Sequence, residues 1–161
     1  MAIIRQTLMD TVVTKLQAIT YANSYSREVG TRRVYSASKL PQQIPTPCVI
    51  VLQGPERVDN RIGDRYECSL ALSVAFVESY GGPEPDDEAN KFLADIQKAV
   101  NGADFSFTTT NYSSGASVTT FATLLEVSNS INAGEPVEGK VYGEVQYELG
   151  YVRSIFDPEK Q

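Results

Sequence analysis

The chain has 161 residues, 42% hydrophobic and 21% charged, with a formal net charge of -6 and no histidine. That length suits one domain with a real core, and the balance of apolar and charged residues is ordinary for a soluble globular protein. The missing histidine removes the commonest general base and with it every Ser-His-Asp or Cys-His arrangement.

No apolar run reaches the ~18 residues that a membrane span needs. No basic segment followed by an apolar one and a cleavage site opens the chain. These features predict a protein made and kept in a cytosol. Cys48 and Cys68 sit in strand-like apolar surroundings and read as buried free thiols, a disulfide being disfavoured in a reducing compartment. Two cysteines without histidine argue against a structural zinc site. The charge is uneven. Nine Lys and Arg stand against five Asp and Glu up to Arg65, and five against fifteen after it. A basic end and an acidic body would suit head-to-tail contact between identical subunits, though the asymmetry is a weak hint.

Ile3 to about Ile19 predicts a helix, with Ile4, Leu8, Val12, Leu16 and Ile19 on one stripe. Residues 21–26 break it with turn formers. Glu28 to Tyr35 allows a short strand. Ser36 to Pro47 reads as an irregular, extended connection, because Pro41, Pro45 and Pro47 each remove a donor and fix φ. Cys48 to Leu52 is a continuous apolar run between Pro47 and Gly54-Pro55, the pattern of a strand buried on both faces. It is expected to pair with a strand from Arg65 to Val77 across a turn spanning Glu56 to Asp64.

The Arg65–Val77 segment alternates. Tyr66, Cys68, Leu70, Leu72, Val74 and Phe76 fall on one face; Arg65, Glu67, Ser69, Ala71, Ser73 and Ala75 fall on the other. The small second face predicts something packed closely over it. The candidate is the next helix, Asp86 to Val100, whose Ala89, Phe92, Leu93, Ile96 and Val100 share a stripe. A flexible lead-in from Ser79 to Pro85 precedes that helix. Asp86 or Asp87 is the expected N-cap and Gly102 the expected stop. Phe105 to Thr108 reads as a short strand, Thr109 to Ser117 as a mobile polar loop, Val118 to Val127 as a mixed strand and Asn129 to Gly139 as another loop. Lys140 to Arg153 is the clearest half-buried antiparallel strand, and residues 153–161 read as a loose tail. The order predicts a single α+β domain over residues 1–161, with an antiparallel-dominated sheet covered on one face by two helices.

Chemistry is sparse. There is no phosphate-cradling glycine motif. Asp86-Asp87-Glu88 could coordinate a cation, but a helix start accounts for it better. The run from Asp59 to Asp64 lacks the acid at the third position and the closing Glu of a calcium loop. Pro85-Asp86 with Glu138-Gly139-Lys140 mimics a metal-nuclease pattern, whose two halves normally share one hairpin. Arg32-Arg33 and Arg57, Arg61 and Arg65 are the basic clusters and read as solvated or subunit-contact surface. Exposed tyrosines are expected at Tyr21, Tyr25, Tyr35, Tyr80, Tyr112 and Tyr142, a residue type favoured in interfaces.

The order of parts resembles one family. An amphipathic helix (Ile3–Ile19) is followed by Leu40-Pro41…Ile44-Pro45-Thr46-Pro47 and the strand Cys48-Val49-Ile50-Val51. Then come the segment Arg65–Val74, the helix Asp87–Ile96, and the closing strand Gly143-Glu144-Val145-Gln146-Tyr147-Glu148-Leu149. This is similar to the tail terminator, or tail completion, proteins of tailed bacteriophages, the minor-tail-protein-U-like group. The likeness covers roughly Ile3 to Tyr151 and rests on order and pattern. It implies a structural virion protein, assembled in the host cytoplasm, with no enzymatic activity, no cofactor and no metal. It implies a homo-oligomeric ring, a hexamer, on the head-proximal end of the tail tube. There it would end tube polymerisation and join the tail tube protein to the neck or connector protein, with sheath protein beside it in contractile tails. The genome would pass through the channel without specific binding, and no membrane is involved. The candidate contact residues are Arg32, Arg33, Arg57, Arg61, Arg65 and Tyr112. The competing readings are a generic neck or baseplate adaptor and a small metal-dependent nuclease using Asp86, Asp87 and Glu138.

Overall fold

The structure, a computed structural model, describes residues 4–79, 84–103, 105–132 and 139–157. Helix α1, Ile4–Gln17, buries Ile4, Leu8, Met9, Val12 and Leu16 and leaves Gln6, Asp10 and Thr14 in solvent. This is the spacing that brings one face of a helix to a core. Strands β1 (Val34–Ser36), β2 (Cys48–Ile62) and β3 (Arg65–Ser79) follow, then helix α2 (Pro85–Asn101). Strands β4 (Ser106–Thr110), β5 (Ser117–Phe121), β6 (Thr123–Ile131) and β7 (Lys140–Ser154) complete the chain. Five strands form one sheet in the order β1-β2-β3-β7-β6, and β4-β5 form a separate hairpin. All neighbours in the large sheet are antiparallel except β1 and β2. The fold is α+β, as expected. No helix among the described residues is long and apolar enough to cross a membrane.

Both helices lie against the same face of the sheet, which carries the large residues of β3. Phe76 meets Phe92 of α2 with ring centroids 4.7 Å apart. Val12, Leu70, Val74, Ile96, Val145 and Leu149 join them in one core. Each such side chain contributes about 1.5–3 kcal/mol by leaving water. Phe76 also lies over Gly143, its register partner on β7, where a Cβ would come within 2.3 Å of the ring. Helix α2 starts at Pro85, with Asp86, Asp87 and Glu88 in its first turn and Lys98 in its last, the charge order that suits the helix dipole.

Several expectations are corrected. The β3–α2 pairing falls on the large face of β3, because Phe92 and Ile96 need apolar partners that Ala71, Ser73 and Ala75 cannot supply. Among the described residues neither helix covers the small face. Strand β2 is buried on both faces only at its start: Val49 and Val51 are inside on one face, while on the other Cys48 is buried, Ile50 half-buried and Leu52 53% exposed. Nor does β2 stop at Gly54-Pro55. Register irregularities between Gln53 and Glu56 and between Val58 and Asn60 absorb extra residues, so it runs on to Ile62. The turn then shrinks to Gly63-Asp64, with Gly63 at φ 61°, the conformation a tight hairpin asks of its first central residue.

Glu84 occupies the N-cap position of α2 without a side-chain cap, so neither Asp86 nor Asp87 is the cap. Ordered β1 begins only at Val34, and a 3-10 turn, Ala37–Lys39, interrupts the connection expected to be irregular. The loop expected at 109–117 is present over residues 111–116 as the turn of a hairpin, with Thr109, Thr110 and Ser117 in its strands. Asn111 Oδ1 accepts the N–H groups of Ser113 and Ser114, closing the turn between β4 and β5. The mixed strand splits at Ala122, whose N–H bonds to Phe105 O.

The C-terminal tail is tied down as far as it is described. Strand β7 continues through Ser154, Ile155 N–H bonds to Asp64 O at 3.0 Å, and Phe156 stacks on Tyr112. Residues 158–161, the 80–83 stretch of the lead-in and most of the 129–139 loop lie outside the described residues.

Candidate functional site

The six contact candidates fall into two groups at different ends of the sheet. Arg57, Arg61 and Arg65 lie on the β2–β3 hairpin, and Tyr112 lies in the β4–β5 turn that is tied to Asp64 at the hairpin's tip. Arg32 and Arg33 lie at the β1 edge.

The hairpin end is organised by ion pairs. Arg57 pairs with Asp59 and lies 3.6 Å from Glu148, and Arg65 lies 3.9 Å from Asp64. Arg61 is exposed and donates to Gly63 O at 3.0 Å. Ser69 donates to Asp59, and this bond, with that from Arg57, holds the Asp59 carboxyl below its usual range. The β4–β5 turn is attached to the same end, Ser113 Oγ donating to Asp64 at 3.2 Å. Tyr112 and Phe156 stack there with centroids 5.1 Å apart, and Phe156 remains 62% exposed, next in sequence to Ile155, which bonds to the hairpin turn at Asp64; Ile62 before that turn is also exposed. One end of the molecule thus carries exposed apolar groups within a rim of charge.

Below it, Glu56 holds the hairpin to the body. It accepts from Tyr151 Oη, and from Arg153 Nη2 at 3.0 Å and Nε at 3.1 Å. Burial pushes the Glu56 carboxyl up. The bonds from Tyr151 and Arg153 and the guanidinium charge outweigh that and hold it below its usual range.

At the β1 edge, Arg32 is exposed, while Arg33 is half-buried and donates to Thr46 O at 2.7 Å. The two line a recess of about 430 Å³ with Tyr21 and Glu28. Lys39 and Leu40 follow β1 on its other side, both exposed. Arg32, Arg33 and Lys39 make no ion pair among the described residues. Of the tyrosines expected to be exposed, Tyr21 and Tyr112 are. Tyr25 is half-buried beneath Lys98, whose ammonium sits 4.5 Å from its ring centre, and Tyr35 and Tyr142 are also half-buried. Tyr80 lies outside the described residues.

A third surface was not among the candidates. On the uncovered face of the sheet, Leu52 and Val127 border a recess of about 350 Å³ floored by Gly54, Ala71 and Ser73. Glu144 and Glu148 of β7 stand in it. Glu144 accepts from Ser73 Oγ at 2.5 Å and Gln146 Nε2 at 3.2 Å and has no cation partner among the described residues. The alternation of β3 carried part of this signal, since a face of Ser and Ala is exposed or closely covered. Choosing between those needs the register that sets Leu52 against Ser73 and Ser73 against Gln146.

The carboxylates weighed for metal chemistry are not brought together. Asp87 and Glu88 both pair with Lys91, and Glu88 also pairs with Arg27. Glu138 lies outside the described residues. Among the described residues no cluster of three His, Cys, Asp or Glu is placed to hold a metal ion. The chain matches no family model and no curated protein.

Proposed function

We propose that this protein is a structural component of a phage tail, a tail terminator that assembles as a ring, with six subunits, on the head-proximal end of the tail tube. In this reading it acts without catalysis. It stops tube growth and offers its outer face to the neck or connector, and to sheath where a sheath is present. The supporting observation is the separation of two exposed surfaces. The Tyr112, Phe156 and Ile62 group sits at one end of the long hairpin, and the open sheet face lies along the side. A ring subunit needs a lateral surface for its own copies and an axial one for a different partner. The chain order from α1 through the β2–β3 hairpin and α2 to β7 supports the same reading.

The test is the mass of the purified protein by light scattering behind a sizing column, at two concentrations and two salt levels, with negative-stain imaging of the large species. Rings of six, or a monomer–hexamer equilibrium, are expected. A different closed number favours an adaptor elsewhere in the tail or neck. A strict monomer under every condition overturns the self-assembling ring.

A further inference from the structure

From the charges on the two margins of the sheet, we infer a specific subunit contact. The open sheet face bearing Glu144 and Glu148 receives the β1 edge of a second copy, with Arg32 and Lys39 meeting those carboxylates head to tail. It rests on the ring reading only in requiring that the chain associate with itself.

Three observations select this occupant. The first is charge. The β1 edge presents three cations without an acidic partner among the described residues, while β6 contains Glu126 and no Lys or Arg, and the adjoining face of β7 presents Glu144, with Glu148 already 3.6 Å from Arg57. Glu126 is engaged by α2 through Gln97 and by Asn129, which leaves Glu144 as the carboxylate best placed to take an external cation. Two open faces set against each other would bring two Glu144 carboxylates, neither with a cation partner among the described residues, into one interface, so an isologous pair of these faces is disfavoured.

The second is height. Tyr35, Ile50, Ala75, Glu144 and Ser130 form one row across the sheet. The middle of the β1 edge and Glu144 therefore lie at the same level along the strands, roughly 14–15 Å apart over three strand spacings, with Arg32 before that level and Lys39 after it. A neighbour rotated about an axis parallel to the strands brings one to the other without a shift in level. Repetition of such a contact closes a ring when the rotation allows.

The third is apolar complement. Tyr21 is 66% and Leu40 42% exposed beside the cations, and Leu52 and Val127 border the recess that would take them. Charge then sets the direction of approach while apolar burial supplies the hold.

The experiment uses two full-length variants. One carries Arg32→Glu with Lys39→Glu, so that both its surfaces are acidic; the other carries Glu144→Arg with Glu148→Arg, so that both are basic. Circular dichroism and melting of each monomer establish that it folds. By light scattering, each variant alone is expected to lose at least tenfold in association relative to the wild type. An equimolar mixture is expected to recover it, with the two variants in equal numbers, because each now has a complementary neighbour. Recovery on mixing cannot come from two misfolded proteins. A wild type that assembles while both variants assemble equally well overturns this contact and leaves the ring reading standing. A wild type that never assembles overturns both.

Discussion

Glu56 on β2 and Arg153 on β7 meet across β3, with both Nη2 and Nε of the guanidinium within 3.1 Å of one carboxylate oxygen. They are 97 residues apart in the chain, and neither is more than one-fifth exposed. The guanidinium also stands 5.3 Å from the centre of the Tyr66 ring. The cluster anchors the base of the hairpin that carries the exposed aromatic end.

Replacing Glu56 by Gln keeps the shape and removes the charge, leaving Arg153 partly buried beside a neutral amide. The expected cost is about 1–3 kcal/mol in urea unfolding at pH 7. Replacing the pair together by Leu and Met should cost less than the single change, because no uncompensated charge remains. The pH dependence has a definite sign. The Glu56 carboxyl is held below its ordinary 4.5 in the fold. Its contribution is therefore complete above that ordinary value and is lost as pH falls through the lower folded value. Wild type and Glu56→Gln should converge in stability at the acid end. A gap that stays constant from neutral pH down to the acid transition would refute this assignment.

Gly143 is required by the ring of Phe76. A methyl at that position would lie 2.3 Å from Cε1 and Cζ and 3.0 Å from Ser130 O. Gly143→Ala should lower stability by about 1–3 kcal/mol through overpacking. Adding Phe76→Leu to Gly143→Ala should cost less than Phe76→Leu costs in the wild type. Strict additivity in a double-mutant cycle would show that the two positions do not press on each other.

Asp95 is a buried carboxylate on α2 that orders a loop far from it in sequence. Its Oδ2 accepts from Ser26 N–H at 2.9 Å and Ser26 Oγ at 2.6 Å. Asp95→Ala should cost about 1 kcal/mol, since it removes the acceptor of both the Ser26 N–H and the Ser26 hydroxyl. The local signature is faster amide exchange at Ser26. Unchanged exchange there would mean that the loop is held by other contacts.

The thiols of Cys48 and Cys68 are both buried and free. Burial pushes the Cys48 thiol up to about 11 and raises Cys68 as well. Both should be inert to a thiol reagent at pH 8 in the folded protein and react fully in denaturant. Rapid stoichiometric labelling without denaturant would contradict the burial.

Much of the fold is legible in the residues because a helix stripe and a strand alternation are local. Ile4, Leu8, Val12 and Leu16 announce α1, and the alternation from Val141 to Tyr151 announces β7. Elements whose form depends on a partner were harder to read. Strand β2 passes through Gly54-Pro55 only because irregularities opposite β3 absorb them, and β1 is a strand only because Val49 to Val51 lie beside it. Among the contact candidates, the arginines and Tyr112 are visible as residue types. Their grouping is not, since Tyr112 stacks on Phe156 through a turn of the C-terminal segment.

By itself, then, the sequence determined the class of fold, the two amphipathic helices, the buried thiols and the uneven charge along the chain. These follow from composition and from periods that each segment carries alone. Only the tertiary structure decided which face of β3 the helices cover. Apolar burial is a sum over facing surfaces, and Phe92 finds its match in Phe76, leaving Ala71 and Ser73 open. It also turned a charge imbalance along the chain into one across the sheet, by placing β1 and β6 on opposite margins.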